Sequence, residues 1–371
     1  MVAAGLKPYV VLLLILAVLA FAGCAQQQPP AVEQEGVQPA GGQQDAGALP
    51  PKPSSLPISE RSFYIGLVPT PKSAQGTTFE DLTAAYEEAG NISEVSMVWP
   101  ASSGIGQYDQ LNQSRVITAV RVYGLKPVVT LNFATMRQVP GKGIQYVIDA
   151  PAGVNANLSD PEFRRLWVDE ARKIAQEFRP EYFSLGNEIN DYFYLHPEEL
   201  DAYLSLYDEA RSAIKNVSPE TKVFVVFSYN HLIENDQWDM IETFSNRSDL
   251  IGLTTYPAAG FDAPGDIPTD YYTRLNNHTD KPTAFTEIGW PSSGTGSEDE
   301  QAEFLVRFLE LTEGMDLEMV NWLFLHEPQL TGIAASISQP GTSTVSLKNA
   351  DGTRKKIYAL WLDLKDLRIV K

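Results

Sequence analysis

A chain of 371 residues with a formal net charge of −19 and a pI near 4.6 has no excess of Lys and Arg to neutralise phosphates, which excludes nucleic acid as its natural partner. Its apolar fraction of 43% is enough for a sizeable core, and its single cysteine, Cys24, leaves no disulfide framework, so stability has to come from packing.

At the amino terminus Lys7 precedes an apolar run from Tyr9 to Phe21, and Ala22-Gly23 lead into Cys24. That is the layout of an export signal. The placement of the cysteine resembles a prokaryotic lipoprotein signal, in which cleavage before the cysteine lets it carry lipid, and the run is shorter than the ~20 residues of a spanning helix. We therefore expect residues 1–23 to be a lipoprotein signal peptide and Cys24 to be the lipidated residue. Residues 24–57, rich in Gln, Pro, Ala and Gly, are expected to form a flexible lipid-anchored linker, because they lack the large apolar side chains that offset ordering. Residues 58–371 then form one domain, held at the extracellular face of the cell membrane or secreted. Six Asn-X-Ser/Thr sequons, at Asn91, Asn112, Asn157, Asn216, Asn246 and Asn277, suit an exported surface.

From residue 62 onward, short β-branched and aromatic runs alternate with longer amphipathic stretches. The strands read as Phe63 to Val68, Glu94 to Trp99, Pro127 to Asn132, Tyr182 to Gly186, Lys222 to Phe227, Leu250 to Thr255, Thr283 to Thr286 and Met319 to Leu325. Between and after them, helices are predicted over Phe79 to Ala89, Asn112 to Tyr123, Pro161 to Phe178, Pro197 to Asn216, Asp236 to Phe244, Thr269 to Asn276, Glu298 to Thr312 and Lys355 to Lys365. Eight strand–helix units without an internal repeat predict an α/β fold of the (β/α)8 TIM-barrel type. A doubly wound sheet is the alternative, but no Gly-rich loop opens a helix after any strand.

Two of these strands end on glutamates, in Ser184-Leu185-Gly186-Asn187-Glu188 and in Ala284-Phe285-Thr286-Glu287-Ile288-Gly289-Trp290-Pro291. In a barrel both lie on the carboxyl rim, where the βα loops converge. A pair of carboxyl groups is what glycosidic cleavage requires, one to protonate the departing oxygen and one on the other side of the anomeric carbon. Gly186-Asn187-Glu188 together with Thr286 to Ser292 resembles the clan A glycoside hydrolases, retaining (β/α)8 enzymes. The second string is most similar to family 17 β-1,3-glucanases, whereas Asp249 to Pro257 is similar to the strand-6 region of family 53 β-1,4-galactanases.

The resemblance implies that Glu188 is the acid/base, with a raised pKa, and Glu287 the nucleophile, kept ionised by hydrogen-bond donors. It implies Asn187 on a sugar 2-hydroxyl, while Tyr256 is placed to donate its phenol to Glu287. Retention predicts carboxyl groups ~5–5.5 Å apart, against ~6.5–9.5 Å for inversion. Trp99, Trp290 and Trp322 are expected near strand ends as faces for sugar stacking, and Asn132, Tyr229, Asn230 and His326 as polar contacts. The loops Arg137 to Asp160 and Ala258 to Asp270 are expected to wall the cleft. His196, His231 and His278 show no metal-site spacing, and neither metal nor cofactor is expected. The expected activity is retaining, endo-acting hydrolysis of a β-linked polysaccharide by a monomer. A transglycosylase, a two-lobed sugar-binding lipoprotein and a catalytically dead lectin barrel are the alternatives.

Overall fold

A computed structural model describes residues 55–73, 76–98, 104–330 and 341–370. The expected signal peptide, Cys24, nearly all of the linker and Trp99 lie outside the described residues. No helix among the described residues is long and apolar enough to cross a membrane.

Among the described residues the first strand is β1 (Glu60–Arg61), followed by the barrel strands β2 (Tyr64–Val68), β3 (Val95–Val98) and β4 (Lys126–Thr130). A hairpin of β5 (Ala134–Val139) and β6 (Gly143–Ile148) follows, then β7 (Tyr182–Ser184), β8 (Lys222–Phe224), β9 (Val226–Ser228), β10 (Ile251–Thr255), β11 (Thr283–Ile288), β12 (Leu317–Phe324) and β13 (Arg368–Ile369). The main sheet is parallel in the order β8-β7-β4-β3-β2-β12-β11-β10-β9. Its two end strands are halves of one run broken at Val225: β8 pairs with β7 and β9 with β10. The Val225 carbonyl accepts from the Gly252 N–H at 3.0 Å, and the ring closes through this run. Eight barrel strands result, which is the predicted (β/α)8 fold. The described residues form this single ring, which differs from the two lobes that the solute-binding alternative requires.

Side-chain alternation divides the core in two. Val95, Met97, Val128, Phe224, Ala284 and Met319 fill the barrel, while Val129, Phe183, Phe285 and Trp322 point outward against the helices. Burial on both faces explains why the strands read as unbroken apolar runs. The helices are α1 (Phe79–Ile92), α2 (Gln107–Ser114), α3 (Val116–Val122), α4 (Pro161–Phe178), α5 (Ile189–Leu195), α6 (Leu200–Val217), α7 (Tyr229–Glu234), α8 (Trp238–Ser245), α9 (Glu298–Leu311) and α10 (Lys356–Asp366). In α4 the Asp160 side chain accepts from Glu162 and Phe163 N–H at 3.0 Å, Pro161 occupies the first turn, and Trp167, Ala171, Ile174 and Ala175 form the buried stripe.

Two predicted helices differ. The stretch Asn112 to Tyr123 is part of two helices, α2 and α3, hinged at Arg115 with φ 56°. Over Thr269 to Asn276 only a 3₁₀ turn forms, Thr273–Asn277. The barrel's first and last units are clasped at the amino end: buried Arg61 makes bonds of 2.7 and 3.0 Å to Glu94, which also meets Lys365 at 2.5 Å.

Candidate active site

Glu188 lies just past β7, on a turn built from two unusual backbone conformations. Gly186 has φ 132°, and Glu188 itself has φ 50°, left-handed for a residue that bears a side chain. Such conformations cost of order 1–3 kcal/mol and cluster at functional sites. Here the turn ends the strand, starts α5 and leaves the Glu188 carboxyl on the rim, half-buried. The Asn132 side chain supports the turn by accepting the Asn187 N–H at 2.8 Å.

Glu287 lies within β11 and is 8% exposed. Register shifts on both sides of it, with Leu253 opposite Phe285 but Thr254 opposite Glu287, leave Thr286 as an extra residue. A bulge of this kind re-aims the side chain that follows it. The Tyr256 Oη donates to Glu287 Oε2 at 2.6 Å, the bond that the sequence led us to expect. One strand over, Thr254 Oγ1 donates to Glu188 Oε1 at 2.6 Å. Thr254 is therefore bonded to one glutamate and in register with the other, and the two carboxyl groups face a common space.

Their titration follows from that geometry. Burial raises Glu188 above the ordinary carboxyl range, the Thr254 hydroxyl opposes the rise, and nearby Asp191 adds to it. Glu287 is pushed up to about 8, first by burial and then by the charge of Glu188, with the Tyr256 hydrogen bond in opposition. The sequence predicts donors that keep Glu287 ionised; among the described residues one donor, Tyr256, reaches it, and burial outweighs it. Two close carboxyls resist carrying two charges, so the pair holds one proton across the neutral range and the proton belongs to the pair. Tyr256 is raised well above its ordinary value by burial and by Glu287, and stays a donor throughout.

Around Glu188 are groups with no motif of their own. Asp191 lies one helical turn beyond it and bonds His231 Nδ1 at 2.8 Å, and this contact raises the imidazole pKa. Tyr146, on the β5–β6 hairpin, packs edge-on against Tyr192 at 6.3 Å, and its phenol is raised by burial and by Asp191 and Glu188. The hairpin thus gives form to one of the two expected cleft walls. In the other, Ala258 and Ala259 join Tyr256 and Pro291 around a hollow of about 360 Å³. Asn187 is half-buried beside Glu188, and its Oδ1 is buried with no hydrogen-bond partner among the described residues, leaving an acceptor for a ligand hydroxyl.

The structure moves several expected contacts away from the site. Trp290 is fully buried, tilted on Phe304 of α9 at 5.5 Å, and presents no face to a sugar. Trp322 is also fully buried, between Phe304 and Trp361, and donates to the Val345 carbonyl, because it points outward from β12. Tyr229 is a core residue whose hydroxyl donates to the Tyr271 carbonyl. Asn230 stitches the exit of β10 by accepting the Tyr256 N–H at 3.2 Å. His326 is 3% exposed, with Nδ1 at 2.7 Å from the Thr70 carbonyl oxygen, which ties strand ends together. Among the described residues one group could hold a cation, His196, Glu198 and Glu199, beyond the end of α5.

A parallel eight-stranded barrel with two coupled carboxyl groups on its carboxyl rim is the class that fold and site define. No family model matches the chain, and no curated protein matches it. Solved structures do match over most of its length. A family 39 glycoside hydrolase from Bacteroides cellulosilyticus WH2 superposes with TM-score 0.57 at 15% identity, over 85% of this chain and 66% of that one. The exo-β-1,4-mannosidase Op5Man5 from Opitutaceae bacterium strain TAV5 gives 0.63 at 14%, over 84% and 60%. A GH5_18 enzyme from Bifidobacterium longum subsp. longum, in complex with Manβ1-4GlcNAc, gives 0.61 at 12%, over 83% and 80%. The chain spans under two thirds of the length of the first two. At these identities the likeness is one of fold, and it favours neither family 17 nor family 53.

Proposed function

We propose that this protein is a retaining glycoside hydrolase acting on β-linked sugars, with Glu287 as nucleophile and Glu188 as acid/base. The observation that carries the reading is the carboxyl pair at the ends of β7 and β11 on one rim, Glu188 accepting from Thr254 of β10 and Glu287 from Tyr256 at the exit of β10. Solved barrels of similar fold include enzymes of β-linked sugars, such as a β-1,4-mannosidase and a complex with a β-1,4-linked disaccharide.

The pair's single proton suits the first step. Glu188, protonated, delivers it to the departing glycosidic oxygen, while Glu287, ionised, attacks the anomeric carbon from the opposite side. As the leaving group departs, Glu188 becomes a carboxylate and then takes a proton from the incoming water, whose oxygen bonds to the anomeric carbon as its bond to Glu287 breaks and Glu287 leaves as a carboxylate. Tyr256 steadies the Glu287 oxygen that does not attack, and Asn187 Oδ1 is free to accept from the sugar ring's hydroxyl. We assign the hollow of about 360 Å³ beside Tyr256 to sugar residues of the substrate, and the enzyme to exported, lipid-anchored proteins on the signal pattern of residues 1–24.

A fragment spanning residues 55–371 tests this on β-1,3-glucan, β-1,4-galactan, β-mannan and xylan. Reducing sugar should appear with at least one polymer and fall about 10³-fold or more in Glu188→Gln and Glu287→Gln. Activity unchanged in both variants, or none on any β-linked polymer or oligosaccharide, refutes the assignment.

A further inference from the structure

The six sequons are not spread evenly over the barrel. Serine and threonine make up 47 of 371 residues, so the chain's fifteen asparagines would give about two sequons by chance, against the six present. Four of them, Asn91, Asn216, Asn246 and Asn277, fall at or just past a helical end, four to six residues before the first residue of β3, β8, β10 and β11 respectively. All four side chains are exposed. They share one end of the molecule: the segment after Asn216 lies with Tyr64, Lys126, Tyr182 and Lys222, the first residues of four barrel strands. Ser245 and Thr279, beside Asn246 and Asn277, are hydrogen-bonded at 2.8 Å. This end is opposite to the rim that carries Glu188 and Glu287.

Helix ends often recruit asparagine because it tolerates a left-handed backbone. That reason does not apply here, since the positive-φ residues other than glycine among those described are Arg115, Arg179, Glu188 and Asp236. Asn157 differs from the four, in the segment entering α4, where its Oδ1 already accepts the Ser159 N–H at 2.7 Å. Asn112 is partly buried within α2, whose first residue, Gln107, bonds the Thr130 carbonyl at the carboxyl end of β4.

We propose that Asn91, Asn216, Asn246 and Asn277 are N-glycosylated, so that glycans clothe the amino face of the barrel and leave the catalytic rim open. The inference rests on export of the chain. The donor is a lipid-phosphate-linked oligosaccharide: the asparagine carboxamide nitrogen bonds to the anomeric carbon, the anomeric C–O bond to phosphate breaks, the lipid phosphate leaves with the electron pair, and the amide loses one proton. Bulky solvated groups on this face keep this end of the barrel from associating and leave access for a substrate at the opposite rim.

The test is glycopeptide mass spectrometry on the full-length protein purified from its own cells, with amino-terminal peptides read in the same spectra. Glycan mass is expected on the peptides that carry the four asparagines and is lost one site at a time in Asn→Gln variants, while the fourfold variant keeps the parent's rate of polymer cleavage. Unmodified asparagines in a chain that has lost residues 1–23 overturn the proposal. Unmodified asparagines in a chain that retains Met1 to Gly23 overturn it through its premise of export. Glycan confined to Asn112 and Asn157 overturns the placement.

Discussion

Tyr256 carries the clearest residue-level test, because its phenol both positions Glu287 and lowers its proton affinity. In Tyr256→Phe, kcat should fall about 10- to 100-fold. Loss of the donor raises Glu287 further, so the acidic limb of the kcat/KM profile moves to higher pH; a profile that keeps its acidic limb would mean that the phenol does not act on Glu287. The same burial has a cost in stability. The pair binds its proton more tightly folded than unfolded, so this contribution favours folding at low pH and is lost as pH rises through about 8. Glu287→Gln, which cannot ionise, should stabilise the fold by about 1–3 kcal/mol above pH 8, and the gain should shrink towards zero below the ordinary carboxyl value. Thermal unfolding of the two proteins across pH reads this directly.

At the scale of elements, strand ends were legible and side-chain directions were not. The apolar runs mark all eight barrel strands, and the strings around Glu188 and Glu287 mark the rim. Trp322 misleads because a strand buried on both faces carries no polar side to show which residues point outward, and Trp290, two residues past β11, turns back onto Phe304 of α9. Thr254 had a signal in its two-residue spacing from Tyr256, which places both on one face of the strand. The Thr286 bulge and the left-handed turn at Glu188 had none, since both depend on pairing with strands distant in sequence. That turn is itself testable. An added Cβ at Gly186 would sit 2.5 Å from Ile189 Cγ2 at φ 132°. Gly186→Ala should cost about 1–3 kcal/mol and lower kcat by displacing Glu188, whereas unchanged melting and unchanged kcat would deny the turn its role.

At the scale of the whole molecule, closure of the barrel converts distant segments into one site. The end of β7 supplies Glu188, β10 and its exit supply Thr254 and Tyr256, and β11 supplies Glu287, while the ring between β7 and β10 closes through the run broken at Val225. We propose that this site works outside the cell, on the export pattern of residues 1–24. Double displacement by the Glu188–Glu287 pair fixes the stereochemistry of the first product. Proton NMR of the sugar released from a cleaved β-linked oligosaccharide, recorded before mutarotation, should show the β-anomer first. Initial release of the α-anomer would contradict the account.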